Sequence, residues 1–94
     1  MTSRVERMEG LLRAAFAPAY LAIEDESARH AGHAGASPLG ETHYRVAMVS
    51  AAFEGRSRVE RQRAVNAVLA GEFASGLHAL SLVLRTPEEA PARA

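Results

Sequence analysis

Between His43 and Arg85 the hydrophobic pattern changes period twice, and this constrains the fold more than any other feature of the chain. HYRVAMVS (43–50) alternates, with Tyr44, Val46 and Met48 opposite Arg45, Ala47 and Val49, which predicts a strand. Phe53-Glu54-Gly55 supplies a turn. Ser57 followed by Glu60 then has the spacing of a capping box, in which each side chain satisfies a backbone donor at a helix start. The helix is expected over about residues 58–73, with Val59, Val65, Val68, Leu69 and Phe73 as its apolar stripe. Gly71 costs roughly 1 kcal/mol relative to Ala, so fraying or a break is expected near it. Ser75-Gly76 stops the helix, and LHALSLVLR (77–85) is the next strand. Strand, helix and strand in that order form a crossover unit, whose two strands run parallel.

The first part of the chain adds a helix and a third strand. Ser3 and Glu6 repeat the capping-box spacing, and Val5, Met8, Leu12, Ala15 and Phe16 follow on one face of a helix over 4–16 that Pro18 ends. AYLAIEDE (19–26) alternates, with Leu21 and Ile23 on one side, and is expected to pair with 43–50 as an antiparallel hairpin. The connecting stretch 27–42, with three Gly and one Pro, reads as a long loop of the kind that more often carries function or motion. Thr86-Pro87-Glu88-Glu89 is a strong start for a short last helix. The expected fold is therefore α+β: two layers in the order αββαβα, a three-stranded mixed sheet with helices on one face. Twenty of the 45 apolar residues are alanine, and the 25 larger ones suffice for one small core, not two. A single domain over 1–94 is expected, ordered from about 4 to 89, with a tail over 90–94.

Composition removes several functions. Without cysteine the chain cannot form a disulfide, a thiolate zinc site, a thiol nucleophile or a cluster held by its own thiolates. Eleven Arg, no Lys and eleven acids give zero net charge, which argues against a sequence-blind nucleic-acid coat. No apolar run approaches the roughly 18–20 residues that span a bilayer, and MTSRVERMEG is unlike a secretory signal. A soluble cytoplasmic protein is the expectation.

The topology brings the histidines together. In a parallel pair both strands begin at one edge of the sheet; His43 begins the second strand and His78 the third. The loop carrying His30 and His33 joins the hairpin at that same edge. Neutral imidazole suits Zn, Cu and Fe. Taken singly, each also reads as a solvated strand start, loop punctuation or a hydrogen-bonded edge residue; alternation groups His78 with Leu80, Leu82 and Leu84. No HxH or HExxH motif is present, so a self-contained catalytic zinc site is not expected. Only their convergence favours a ligand role.

Other chemistry is thin. Glu24, Asp25 and Glu26 read as a solvated strand end, and Ser27, Ser50 and Ser81 lack a nucleophile elbow. G-x-x-G at Gly32–Gly35 falls between strands, whereas a KH nucleic-acid loop joins helices. No independent enzyme is expected. Arg56, Arg58, Arg61 and Arg63 cluster at the start of the second helix, offset by Glu54 and Glu60. They suit phosphates or an acidic partner, and equally a solvated helix face with i, i+4 charge pairs.

ESARHAGHAG, GETHYRVAMVSAAFEG, the R-x-R before AVNAVLAGEF and GLHALSLVLRTPEE together resemble the BolA family, from about Val5 to Glu89. The resemblance implies an αββαβ-type fold similar to class II KH domains. It also implies a monothiol glutaredoxin as partner and a shared [2Fe–2S] cluster, whose thiolates come from that glutaredoxin and glutathione. On this reading the chain binds no cofactor alone and is a monomer or weak homodimer. The resemblance assigns the histidine of the HAL segment, His78, as a ligand, and a second from His30 or His43, with His33 a further candidate. It also implies a link to transcription through DNA contact by the second helix, here with Arg56, Arg58, Arg61 and Arg63. Gln62 stands where many members have histidine in an R-H-R run.

Overall fold

The computed structural model describes residues 3–26 and 43–90. The expected loop 27–42, with His30 and His33, and the tail beyond Ala90 lie outside the described residues.

Helix α1 (Arg4–Phe16) starts where the capping box places it. The Glu6 N–H donates to Ser3 Oγ at 3.2 Å and the Ser3 N–H donates to Glu6 Oε1 at 3.0 Å. Ala17 ends it in the left-handed conformation (φ 42°), with its N–H on Arg13 O, and Pro18 prevents continuation. Met8, Leu12 and Phe16 are buried as expected. Ala15 is exposed instead, and the buried stripe is headed by Arg4. The true spacing is i, i+4 throughout, which rotates the stripe away from position 15.

Strands β1 (Tyr20–Asp25) and β2 (His43–Val49) pair antiparallel, and β2 pairs in parallel with β3 (Ala79–Arg85), giving the mixed order β1-β2-β3. Leu21, Met48 and Leu84 share one rung, as do Ile23, Val46 and Leu82. These residues face the helices, and Met8, Leu12, Val65 and Leu69 complete the core with Tyr44 and Phe53. The opposite face carries Tyr20, Val49 and Arg85 on one rung and Ala22, Ala47 and Val83 on the next. This is the expected two-layer α+β arrangement.

Three expectations change. Phe53 is a core residue, not simply a turn: it closes a short 3-10 turn (Ala51–Phe53) and meets the Phe16 ring at 5.2 Å between centroids. The helix expected over 58–73 is two, α2 (Arg58–Val68) and α3 (Ala70–Ala74), the break expected near Gly71 falling at Leu69. In α3 Glu72 is buried and Phe73 is 37% exposed, and Val59 in the first turn of α2 is 55% exposed, so neither apolar residue joins the expected stripe. Finally, the last expected helix amounts to one turn within the described residues. Thr86 and Glu89 cap each other reciprocally, and the Ala90 N–H reaches Thr86 O at 3.1 Å.

Candidate metal centre

The parallel register aligns His43 with Ala79, so His78 arrives one residue earlier at the same rim. The two imidazole centroids lie 5.6 Å apart, with the rings tilted by 38°. His43 is half-buried at the start of the central strand, on the alternate that includes Arg45, Ala47 and Val49. Glu26 adjoins it, donating its N–H to His43 O at 2.7 Å. A shallow 230 Å³ depression at this rim is lined by Glu26, His43, Ala79 and Ser81 among others.

His78 departs from the alternation that grouped it with Leu80. Leu77 is buried and His78 is exposed. The cause is the α3 terminus. Gly76 adopts φ 125°, its N–H donates to Phe73 O at 3.4 Å, and the Leu77 N–H donates to Glu72 O at 2.9 Å. These are the two bonds of a Schellman ending, which drives Leu77 into the core and turns the next side chain out.

The spacing of the rings fits a shared metal ion. An ion ~2 Å from one nitrogen of each ring stands ~3 Å from each centroid, so a tetrahedral angle between them puts the centroids ~5 Å apart. Two imidazoles fill half of such a shell. Among the described residues no group of three or more His, Asp or Glu side chains could complete it. Further donors to such an ion would come from outside the described residues, and this chain has no thiolate to offer. His30 and His33 belong to the segment outside the described residues.

The arginine cluster divides. Arg56, Arg58 and Arg63 are exposed. The Arg61 side chain is only 12% exposed and holds the fold together. It donates to both Glu89 carboxylate oxygens at 2.6 and 3.2 Å, to Arg56 O at 3.0 Å and to Leu84 O at 3.3 Å. Its guanidinium also stands 5.9 Å from the Phe53 ring centroid. These bonds draw the Glu89 carboxyl down to about 2, with the Thr86 N–H contributing next. On α2, Glu60 is likewise held below its ordinary range, first by the Ser57 backbone N–H.

A second cluster was not identified from sequence. Arg4 NH1 reaches Glu72 Oε1 at 2.7 Å, and Arg7 Nε reaches Glu72 Oε2 at 3.0 Å. The available signal was Arg4 itself, four residues before Met8 at the head of an apolar stripe. Its partner lies 68 residues away, beyond any local pattern.

A family described as BolA-like protein matches residues 12–89. Protein BOLA1, chloroplastic, of Arabidopsis thaliana is 45% identical over 93 residues, 97% of this chain and 58% of that protein. This chain therefore spans little more than half of that relative. The DNA-binding transcriptional regulator BolA of Escherichia coli (strain K12) is 42% identical over 84 residues, 89% of this chain and 76% of that one. Among solved structures, the BolA domain of SufE1 from Arabidopsis thaliana superposes with a TM-score of 0.85 at 43% identity, covering 96% of this chain and 99% of that chain.

Proposed function

The chain belongs to the BolA-like protein family, and from that premise we propose that it is a non-enzymatic adaptor for iron–sulfur cluster assembly, transfer or iron sensing. It pairs with a monothiol glutaredoxin and donates histidine ligands to a shared [2Fe–2S] cluster, with thiolates from the glutaredoxin and glutathione on the other side. The observation that carries this reading is the 5.6 Å approach of His43 and His78 at one rim of the sheet. His78 is the first ligand because it is exposed and its neighbour Leu77 anchors it. His43 is the second by position, with His30 and His33 as the other candidates.

A bound cluster of this kind supplies one-electron chemistry, and imidazole ligation raises its potential over an all-thiolate site. The chain's part is to present unprotonated imidazoles, the only form of the ring that can ligate a metal. Among the described residues no helix is long and apolar enough to cross a membrane. The cytoplasm is the compartment proposed, as a monomer or weak homodimer when alone.

Anaerobic reconstitution with a monothiol glutaredoxin and glutathione tests the reading. A coloured heterodimer is expected, and His78→Ala should alter its visible spectrum or speed cluster loss. An unchanged spectrum and lability removes His78 as a ligand.

A second reading, DNA binding through α2, is favoured by the exposure of Arg56, Arg58 and Arg63 and by the name of the Escherichia coli relative. Arg58→Ala with Arg63→Ala should weaken duplex binding and flatten its salt dependence. Arg61 is unsuitable for this test because its loss unfastens Glu89. No duplex binding by the wild type at low salt excludes the reading.

A further inference from the structure

The first residue of a helix is ordinarily solvated, yet the Arg4 side chain is only 10% exposed. It enters the concave side of the α3–β3 turn. Its NH1 donates to Glu72 O at 3.2 Å, Glu72 Oε1 at 2.7 Å and Ser75 Oγ at 3.0 Å, while NH2 donates to Ser75 O at 3.2 Å. Two of these acceptors are backbone carbonyls at the end of α3, and one of them, Glu72 O, also accepts the Leu77 N–H at 2.9 Å, so the guanidinium and the Schellman bond meet on one oxygen. Gly76 completes the cradle: a Cβ there would stand 3.2 Å from Arg4 NH2, on a backbone with φ 125°.

Burying an arginine and a carboxylate together is a weak source of stability, because desolvation of both charges offsets their attraction. What a planar, five-donor fork adds is a fixed geometry. All of that geometry is applied to residues 72–75, whose Schellman ending seats Leu77 and thereby turns out His78.

We propose that Arg4, backed by Glu72, is a positioning residue for His78: its guanidinium fixes the α3–β3 turn and so sets where the imidazole stands beside His43. The consequence for a shared cluster rests on the reading of His78 as a ligand. The placement itself is a property of this chain alone.

The test uses the full chain without metal, then the reconstituted heterodimer. In Arg4→Met, Glu72 keeps Arg7 as its partner. Relative to Val46 in the central strand, the Leu77 amide should exchange with solvent at least fivefold faster, and the imidazole-to-imidazole NOE between His43 and His78 should disappear. Arg4→Lys keeps the charge without the fork and should restore little of either signal. Should Arg4→Met not fold, Ser75→Ala removes one acceptor of the guanidinium, Ser75 Oγ, and should give the same changes at smaller amplitude. In the heterodimer, Arg4→Met should accelerate cluster loss severalfold. A folded Arg4→Met with Leu77 protection and the NOE both intact overturns the proposal. His78→Ala separates the two readings: if it leaves the cluster spectrum and lability unchanged, ligation by His78 fails, while the metal-free NMR comparison still decides the positioning.

Discussion

Ser50 is fully buried where β2 leaves the sheet, and its hydroxyl makes two bonds. It donates to Phe16 O at 2.6 Å and accepts from the Ala52 N–H at 3.0 Å, tying the end of α1 to the 3-10 turn. Ser50→Ala leaves a buried carbonyl and an amide short of a partner, a loss of about 1–3 kcal/mol. Urea unfolding should show a lower midpoint at constant m; an unchanged midpoint would mean that water or a relaxed backbone replaces the hydroxyl. Nothing in the local sequence marks Ser50 for this role, because Phe16 is 34 residues away. Arg61 is opaque for the same reason: its carboxylate lies 28 residues downstream, so the residues alone present it as one more surface arginine. The His43–His78 approach was legible because it depends on topology, and parallel strands must share their starting edge.

At the scale of elements, both long helices begin at capping boxes readable from four residues, Ser3–Glu6 and Ser57–Glu60. The break between α2 and α3 was legible in kind and to within a turn of helix, near Gly71. Gly71 weakens the helix, and the interruption falls at Leu69, a fully buried residue just before the Glu72 that pairs with Arg4. If packing rather than glycine sets the break, Gly71→Ala should stabilise α3 without fusing the helices. A Cβ at Gly71 meets nothing within 4 Å, as at Gly10 in the middle of α1. Each substitution should add about 0.5–1 kcal/mol, Gly10→Ala the more because its helix is longer. Thermal unfolding measures the gain, and backbone chemical shifts at 68–70 report the break. Continuous helical shifts through Leu69 in Gly71→Ala would refute the packing account.

Two of the carboxylates held low fasten distant parts of the chain to each other, and their titration contributes to how the whole molecule responds to acid. Glu72 joins α3 to α1 through Arg7 and Arg4, and Glu89 joins the final turn to α2 through Arg61. The Arg7 hydrogen bonds come first in holding the Glu72 carboxyl below 4.5, ahead of the Arg7 and Arg4 charges; Arg61 comes first in drawing Glu89 from 4.5 to about 2. A depressed folded-state value means that the unfolded chain binds protons first as pH falls, so stability rises with pH across the interval. The contribution is complete above the ordinary glutamate range and drains away from about 4.5 down to about 2 for Glu89. Glu72 stops contributing once its own lowered value is passed. Urea midpoints measured between pH 6 and 2 should therefore fall steeply in the wild type and less steeply in Glu89→Gln, which starts from a lower midpoint at neutral pH. Glu72→Gln removes the other slope but leaves Arg4 buried beside a neutral amide, so its neutral-pH loss is the larger, about 3 kcal/mol. Equal slopes in wild type and both variants would show that acid acts elsewhere, and that these fasteners do not couple protonation to the fold.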